Sequence, residues 1–165
     1  MNTTKLIASS TLLACVTAVF SHENSPHHAA KASAPKEQTD WGIAGDLKNV
    51  RRTIVIRMTD DMRFTPSAIT VHEGETVRLR AQNQGKVLHE IVIGTQTELA
   101  QHAEMMMKFP AMEHDEPYMA HVRAGGQGDV VWQFNRPGTF DFACLIPGHF
   151  QAGMPGTITV LPRKP

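Results

Sequence analysis

Cysteine is almost missing from this chain. Only two occur in 165 residues, at positions 15 and 144, so a disulfide framework of the kind that staples small exported domains is excluded. Net charge is missing too: sixteen basic and sixteen acidic side chains cancel, which removes the global field that would draw nucleic acid or an anionic membrane as partner. Long apolar runs are also lacking. The run "LIASSTLLACVTAVF" after Lys5 is too short to span a bilayer as a mature helix, and no membrane span is expected in the mature chain. What is plentiful is methionine and histidine, nine of each, and their placement matters more than their number.

That N-terminal run has the layout of a secretory signal. Cleavage after Ala18, with Val16 at the −3 position, fits the small-residue rule, and cleavage after Ser21 is a near rival. A competing reading takes "LLAC" as a lipobox with Cys15 lipidated, but the apolar stretch continues through Val19 and Phe20, where a lipoprotein would turn polar. Export predicts a periplasmic, oxidising location. Loss of the signal leaves Cys144 as the single cysteine, with no internal partner. It is then a buried inert thiol, an intermolecular cross-link, or a ligand whose metal protects it.

Three segments are expected: a signal at 1–21, a flexible histidine-containing segment at 22–49, and one domain at 50–165. "HENSPHHAAKASAPKEQTD" (22–40) has too few large apolar residues to fold alone, and its His22, His27 and His28 suit a solvated tail or weak metal capture. From residue 50 short β-branched runs alternate with turns about every ten positions. "RTIVIRM" predicts a buried strand and "TVRLRAQ" a half-buried one, with Val77, Leu79 and Ala81 alternating with Arg78, Arg80 and Gln82. "AITV", "HEIVIG", "DVVWQF", "GTFDFAC" and "GTITVL" complete about seven strands, an all-β sandwich. One insertion at about 95–125 interrupts it: a helix at about 97–108, opened by a Thr95–Glu98 capping box, then the irregular loop "PAMEHDEPYMAHVRAGGQG".

Strand alternation aims the side chains. In "TFDFAC" Phe140, Phe142 and Cys144 share the apolar face, and in "HEIVIG" His89 lies with Ile91 and Ile93. Both therefore project inward at strand ends, while His149 and Met154 follow Cys144 at steps of five within one loop. A thiolate, two imidazoles and a thioether are the donor set of electron-transfer copper. Zinc more naturally takes a fourth Cys or His, and a Cys–His catalytic pair does not need the methionine. Taken singly, His89 suits a satisfied core histidine and Met154 suits packing; taken together, the four point to metal.

"CLIPGHFQAGMPGTITV" resembles the ligand loop and last strand of the cupredoxins, and is similar to the Cys-x-x-Pro-Gly-His loops of azurins and auracyanins. "NQGKVLHEIVIG" resembles the segment carrying that family's first histidine. The resemblance covers about residues 50–165. It implies an eight-stranded Greek-key sandwich holding one type 1 copper, with His89, Cys144 and His149 equatorial and Met154 axial. A single loop cysteine excludes the binuclear purple centre. The pattern departs at Glu90, where many members carry Asn or Ser that braces the cysteine loop.

The insertion concentrates five methionines (Met105, Met106, Met107, Met112, Met119) and three histidines (His102, His114, His121). Thioethers select Cu(I), so an accessory copper site is one expectation and packing of the helix on the sandwich is the other. Three consecutive methionines diverge by about 100° each and cannot all face inward. The arrangement resembles small periplasmic copper-tolerance cupredoxins, which implies copper binding, electron transfer to a redox partner protein, and oxidation of Cu(I) held at an accessory site. A soluble respiratory electron shuttle and a copper chaperone or buffer are the competing functions.

Overall fold

The computed structural model describes residues 36–112 and 114–163. The expected signal, Cys15 and the tail histidines His22, His27 and His28 lie outside the described residues. Eleven strands and one helix follow in chain order: β1 (Gln38–Thr39), β2 (Gly42–Ala44), β3 (Arg52–Thr59), β4 (Arg63–Thr65), β5 (Ala68–His72), β6 (Glu75–Asn83), β7 (His89–Gly94), α1 (Gln96–Lys108), β8 (Met119–Val122), β9 (Gln127–Phe134), β10 (Gly138–Ala143) and β11 (Pro155–Leu161). A single 3-10 turn, Leu47–Asn49, separates β2 from β3. The strands form a six-stranded sheet ordered β1-β2-β9-β6-β3-β4 and a five-stranded sheet ordered β5-β11-β10-β7-β8. Two pairings are parallel, β3 with β6 and β5 with β11, because the chain changes sheet between those partners.

Alternation builds the core as expected on β6: Val77, Leu79 and Ala81 are fully buried while Arg78, Arg80 and Gln82 are half-exposed. They meet Ile56, Met58, Val130, Trp132 and Phe134 of the same sheet and Ile91, Ile93, Phe142, Ile158 and Val160 of the other. β3 is one-sided rather than wholly buried. Ile56 and Met58 face in, and Val55 on its other face is 38% exposed.

The five-stranded sheet is covered on its outer face where α1 packs on β7 and β10, and this is why every residue of β7 is buried. His89, Ile91 and Ile93 look into the sandwich. Val92, on the other face, packs beneath α1 with Leu99, Ala103, Met106, Met119, Ala143 and Leu145. Leu99, Ala103 and Met106 fall at i, i+4 and i+7, one stripe of the helix. The helix starts where the capping box places it: Thr95 Oγ1 accepts the Glu98 N–H at 3.3 Å, and Glu98 Oε2 accepts the Thr95 N–H at 3.1 Å.

Two further expectations are corrected. The sandwich begins before residue 50, because β2 pairs onto β9 (Ile43↔Gln133, Ala44↔Trp132) and buried Trp41 accepts a hydrogen bond on its carbonyl from Trp132 Nε1 at 3.0 Å. The loop after α1 is also not wholly irregular. Its second half contains β8, which pairs with β7 as a regular antiparallel edge (Glu90↔His121, Val92↔Met119).

Candidate metal centre

His89 opens β7, and Cys144 directly follows β10, so two adjacent strands of one sheet deliver them to the same end of the sandwich. The connection from β10 to β11 supplies the third group. Gly148 there adopts φ +90°, and the His149 N–H donates to Ile146 O at 2.9 Å, the pattern of a turn with Pro147 and Gly148 at its centre. Further N–H bonds close the loop on itself: Met154 to His149 O at 3.2 Å and Cys144 to Met154 O at 3.1 Å. Arg63 of β4 clasps it from outside, donating to Ala152 O at 3.1 Å and Gly153 O at 2.8 Å. The loop is thus fixed by backbone bonds and one guanidinium rather than by apolar packing alone.

These constraints bring His89, Cys144 and His149 together with ligand atoms all within 4.8 Å of one another. Cys144 Sγ lies 3.3 Å from His149 Nδ1 and 3.9 Å from His89 Nδ1. His89, Cys144 and Met154 have no solvent exposure, and His149 is half-buried. Met154 belongs to the same buried cluster as Cys144.

Around this group sit residues that hold it in place. Asp60 Oδ1 lies 3.3 Å from His89 Nε2, and an ionised carboxylate there places the ring proton on Nε2 and leaves the Nδ1 lone pair facing the sulfur. The same carboxylate accepts the Lys86 N–H at 2.8 Å and the Val87 N–H at 3.4 Å, so it also shapes the turn into β7. Those N–H groups, the Lys86 one foremost, together with His89, hold the Asp60 carboxyl below its usual range. Gly85 is required beside it: a Cβ there would come 1.9 Å from Asp60 Oδ1.

Glu90 performs the bracing expected of Asn or Ser at its position. Fully buried, it accepts the Leu145 N–H on Oε1 at 2.8 Å, and its own N–H donates to Cys144 Sγ at 3.4 Å. Its Oε2 lies 2.8 Å from His121 Nε2 on β8. Burial pushes the carboxyl up to about 7, although the Leu145 N–H acts in the opposite direction. Burial pushes the Cys144 thiol up to about 12, opposed by the N–H groups of Glu90 and Ile146. Burial, and then the neighbouring His89, lower His149 below its usual value, so that it is neutral at pH 7. A buried thiol that accepts N–H bonds, beside two imidazoles, suits a thiophilic metal that displaces the thiol proton.

The residues of the insertion separate into groups. Met106 and Met119 are buried against the outer face of the five-stranded sheet. Met107 is 53% exposed. His102, Met105, Met112 and His114 line one open cavity. The His102 and His114 rings are 4.6 Å apart, and His121, the neighbour of Glu90, has its ring 6.1 Å from that of His114. Asp60 and Arg63 were not singled out in the sequence. Neither carries a local signal, since their contacts reach 26 to 29 and 89 to 90 positions along the chain.

Residues 51–161 match the family described as copper binding proteins, plastocyanin/azurin family. The chain is similar to the copper-resistant cuproprotein CopI of Rubrivivax gelatinosus, 45% identical over 156 residues that cover 90% of this chain and 94% of that protein. It is 31% identical to the CopI of Pseudomonas aeruginosa, over 81% of this chain and 90% of that one. Among solved structures, auracyanin B superposes with a TM-score of 0.61 at 27% identity, covering 73% of this chain and 96% of that chain.

Proposed function

Because the chain belongs to the plastocyanin/azurin family of copper-binding proteins, a cupredoxin whose cofactor is copper, we propose that it is a periplasmic electron-transfer protein serving copper tolerance. In this reading His89 Nδ1, Cys144 Sγ and His149 Nδ1 hold the ion, and Met154 is the weak fourth donor. Copper bound there supplies a one-electron couple. The observation that carries the reading is the His–Cys–His group and what holds it: Asp60 orients His89, Glu90 and Arg63 hold the cysteine loop, and β7 and β10 deliver His89 and Cys144 to one end of the sandwich. Ligands fixed in this way need little rearrangement when charge changes.

His149 is the half-buried donor, while the other three are sealed in the core, so electrons enter and leave by its ring edge. Full burial of three donors also favours a resident ion over one handed on as cargo. The copper-resistance role named for the CopI relatives supports the tolerance assignment. The N-terminal apolar run supports export. Cuprous ion is among the donors admitted: one electron leaves Cu(I), which becomes Cu(II), and passes to a redox partner protein.

Two experiments bear on this site. Replacing His149 with Gly is expected to open it, so that added imidazole restores the wild-type visible spectrum; a variant whose spectrum ignores both the substitution and imidazole would contradict the assignment. The second uses pH. With the Cys144 thiol pushed up to about 12, the metal-free protein carries that proton throughout the neutral range and releases it on binding. Because His149 is already neutral, no second proton is displaced there. Apparent copper affinity should therefore rise about tenfold per pH unit between roughly pH 7 and 9, with one proton released in a weakly buffered titration. A flat profile would mean that the thiol takes no part.

A further inference from the structure

The geometry points to a second, thiolate-free site, formed by the imidazoles of His102 and His114 and the thioethers of Met105 and Met112, for a soft monovalent ion of the Cu(I) class. Four separate observations converge on it. The two rings, one from α1 and one from the loop that follows, lie 4.6 Å apart at 47°. Their buried nitrogens, Nε2 of His102 and both Nδ1 and Nε2 of His114, have no hydrogen-bond partner among the described residues, an arrangement that folded proteins avoid unless something else satisfies those atoms. Met105 and Met112 line the same cavity and remain 41% and 37% exposed, although Met106 already supplies the packing contact one position away. Finally, Met105 is three residues after His102, so a turn of helix presents both donors on one side.

The donor chemistry decides the class of ion. Imidazole with thioether favours Cu(I), and no cysteine is present to be oxidised. Two carboxylates, Glu98 and Glu116, also line the cavity, but Glu98 is engaged in the helix cap. Burial, and then the proximity of His114, lower His102 below its usual value, which keeps its lone pair available at neutral pH. His121 stands apart from the donor set, since its Nε2 faces Glu90. The site goes beyond the electron-transfer reading of the Cys144 centre and does not depend on it.

The test uses the full mature chain carrying Cys144→Ser, so that the sulfur centre contributes no thiolate, and Ag(I) as an oxidation-proof probe for Cu(I). Nuclear magnetic resonance of ring nitrogens and methionine methyls reads each donor separately. The first equivalent of Ag(I) should shift the His102 and His114 nitrogens and the Met105 and Met112 methyls, and leave the Met107 methyl in place. Met112→Ala, at an exposed position, should weaken that binding by about tenfold or more. Shifts confined to the tail histidines or to His89 and His149 would overturn the proposal. So would Zn(II) moving His102 and His114 while Ag(I) leaves the Met105 and Met112 methyls unmoved. Failure of the Cys144 centre would appear instead as a missing visible band in the wild-type chain, which this variant does not report.

Discussion

Replacing Cys144 with Ser is expected to abolish the intense visible absorption of the copper-loaded protein and to lower copper affinity by more than ~100-fold. That exceeds the range typical of changes to groups that only support a ligand. The sulfur is the one soft anionic donor available at the centre, and it lies 3.3 Å and 3.9 Å from the two imidazole nitrogens. A serine hydroxyl is smaller, harder and far less readily ionised, so it neither fills that position nor donates charge to copper. The fold should survive, because the loop is held by the Leu145 N–H to Glu90 and by Arg63 on the Ala152 and Gly153 carbonyls rather than by the thiol. Circular dichroism of the metal-free variant checks that point, and chelator competition measures the affinity. Retention of the visible band would remove Cys144 from the ligand set.

Phe142→Ala is expected to be the most damaging change of packing, costing about 3–5 kcal/mol of stability. Phe142 is fully buried two residues before Cys144 and meets Phe64 of the opposite sheet edge-on, with ring centroids 4.9 Å apart. Its ring lies over Gly156, its register partner on β11, so closely that a Cβ at Gly156 would come within 2.2 Å of it. The ring therefore fills space that the backbone has been shaped to leave, and nothing adjacent can move in to replace it. For a chain of this size the loss corresponds to a fall in melting temperature of roughly 6–20 °C. Copper should recover part of it, since a ligand bound only by the folded state adds stability in proportion to the logarithm of its concentration over Kd. Thermal unfolding with and without copper measures both effects; a loss below about 1 kcal/mol would show that the β10 end beneath the site is not close-packed.

Strands with clean alternation were legible because burial of one face leaves a two-residue period, as at Val77, Leu79 and Ala81. The helix was legible from its capping box. The inward aim of His89 and Cys144 followed from the same alternation, and the structure brings both together with His149. What escaped was short or distant. β1, β2, β4 and β8 have two to four residues each, too few for a period to show, and β2 and β8 hold their place through partners, Trp132 and His89, far along the chain. Asp60 and Arg63 reach the site across the fold, so nothing in their neighbours announces them. Glu90 could be placed on the face away from His89, but its bond to Leu145 and its approach to His121 depend on how the cysteine loop and β8 fold over that face. The phase of the methionine run was likewise open until Val92 and Met119 took Met106 as their contact.

That copper is held through Cys144 with two imidazoles is tested by titration of the metal-free mature chain with Cu(II), following visible absorption and paramagnetic resonance together. The first equivalent is expected to produce a strong sulfur-to-copper band in step with a resonance signal of thiolate-bound copper, saturating at one such centre per chain. A first equivalent that gives only the signal of copper bound by nitrogen and oxygen, with no sulfur band, would contradict it.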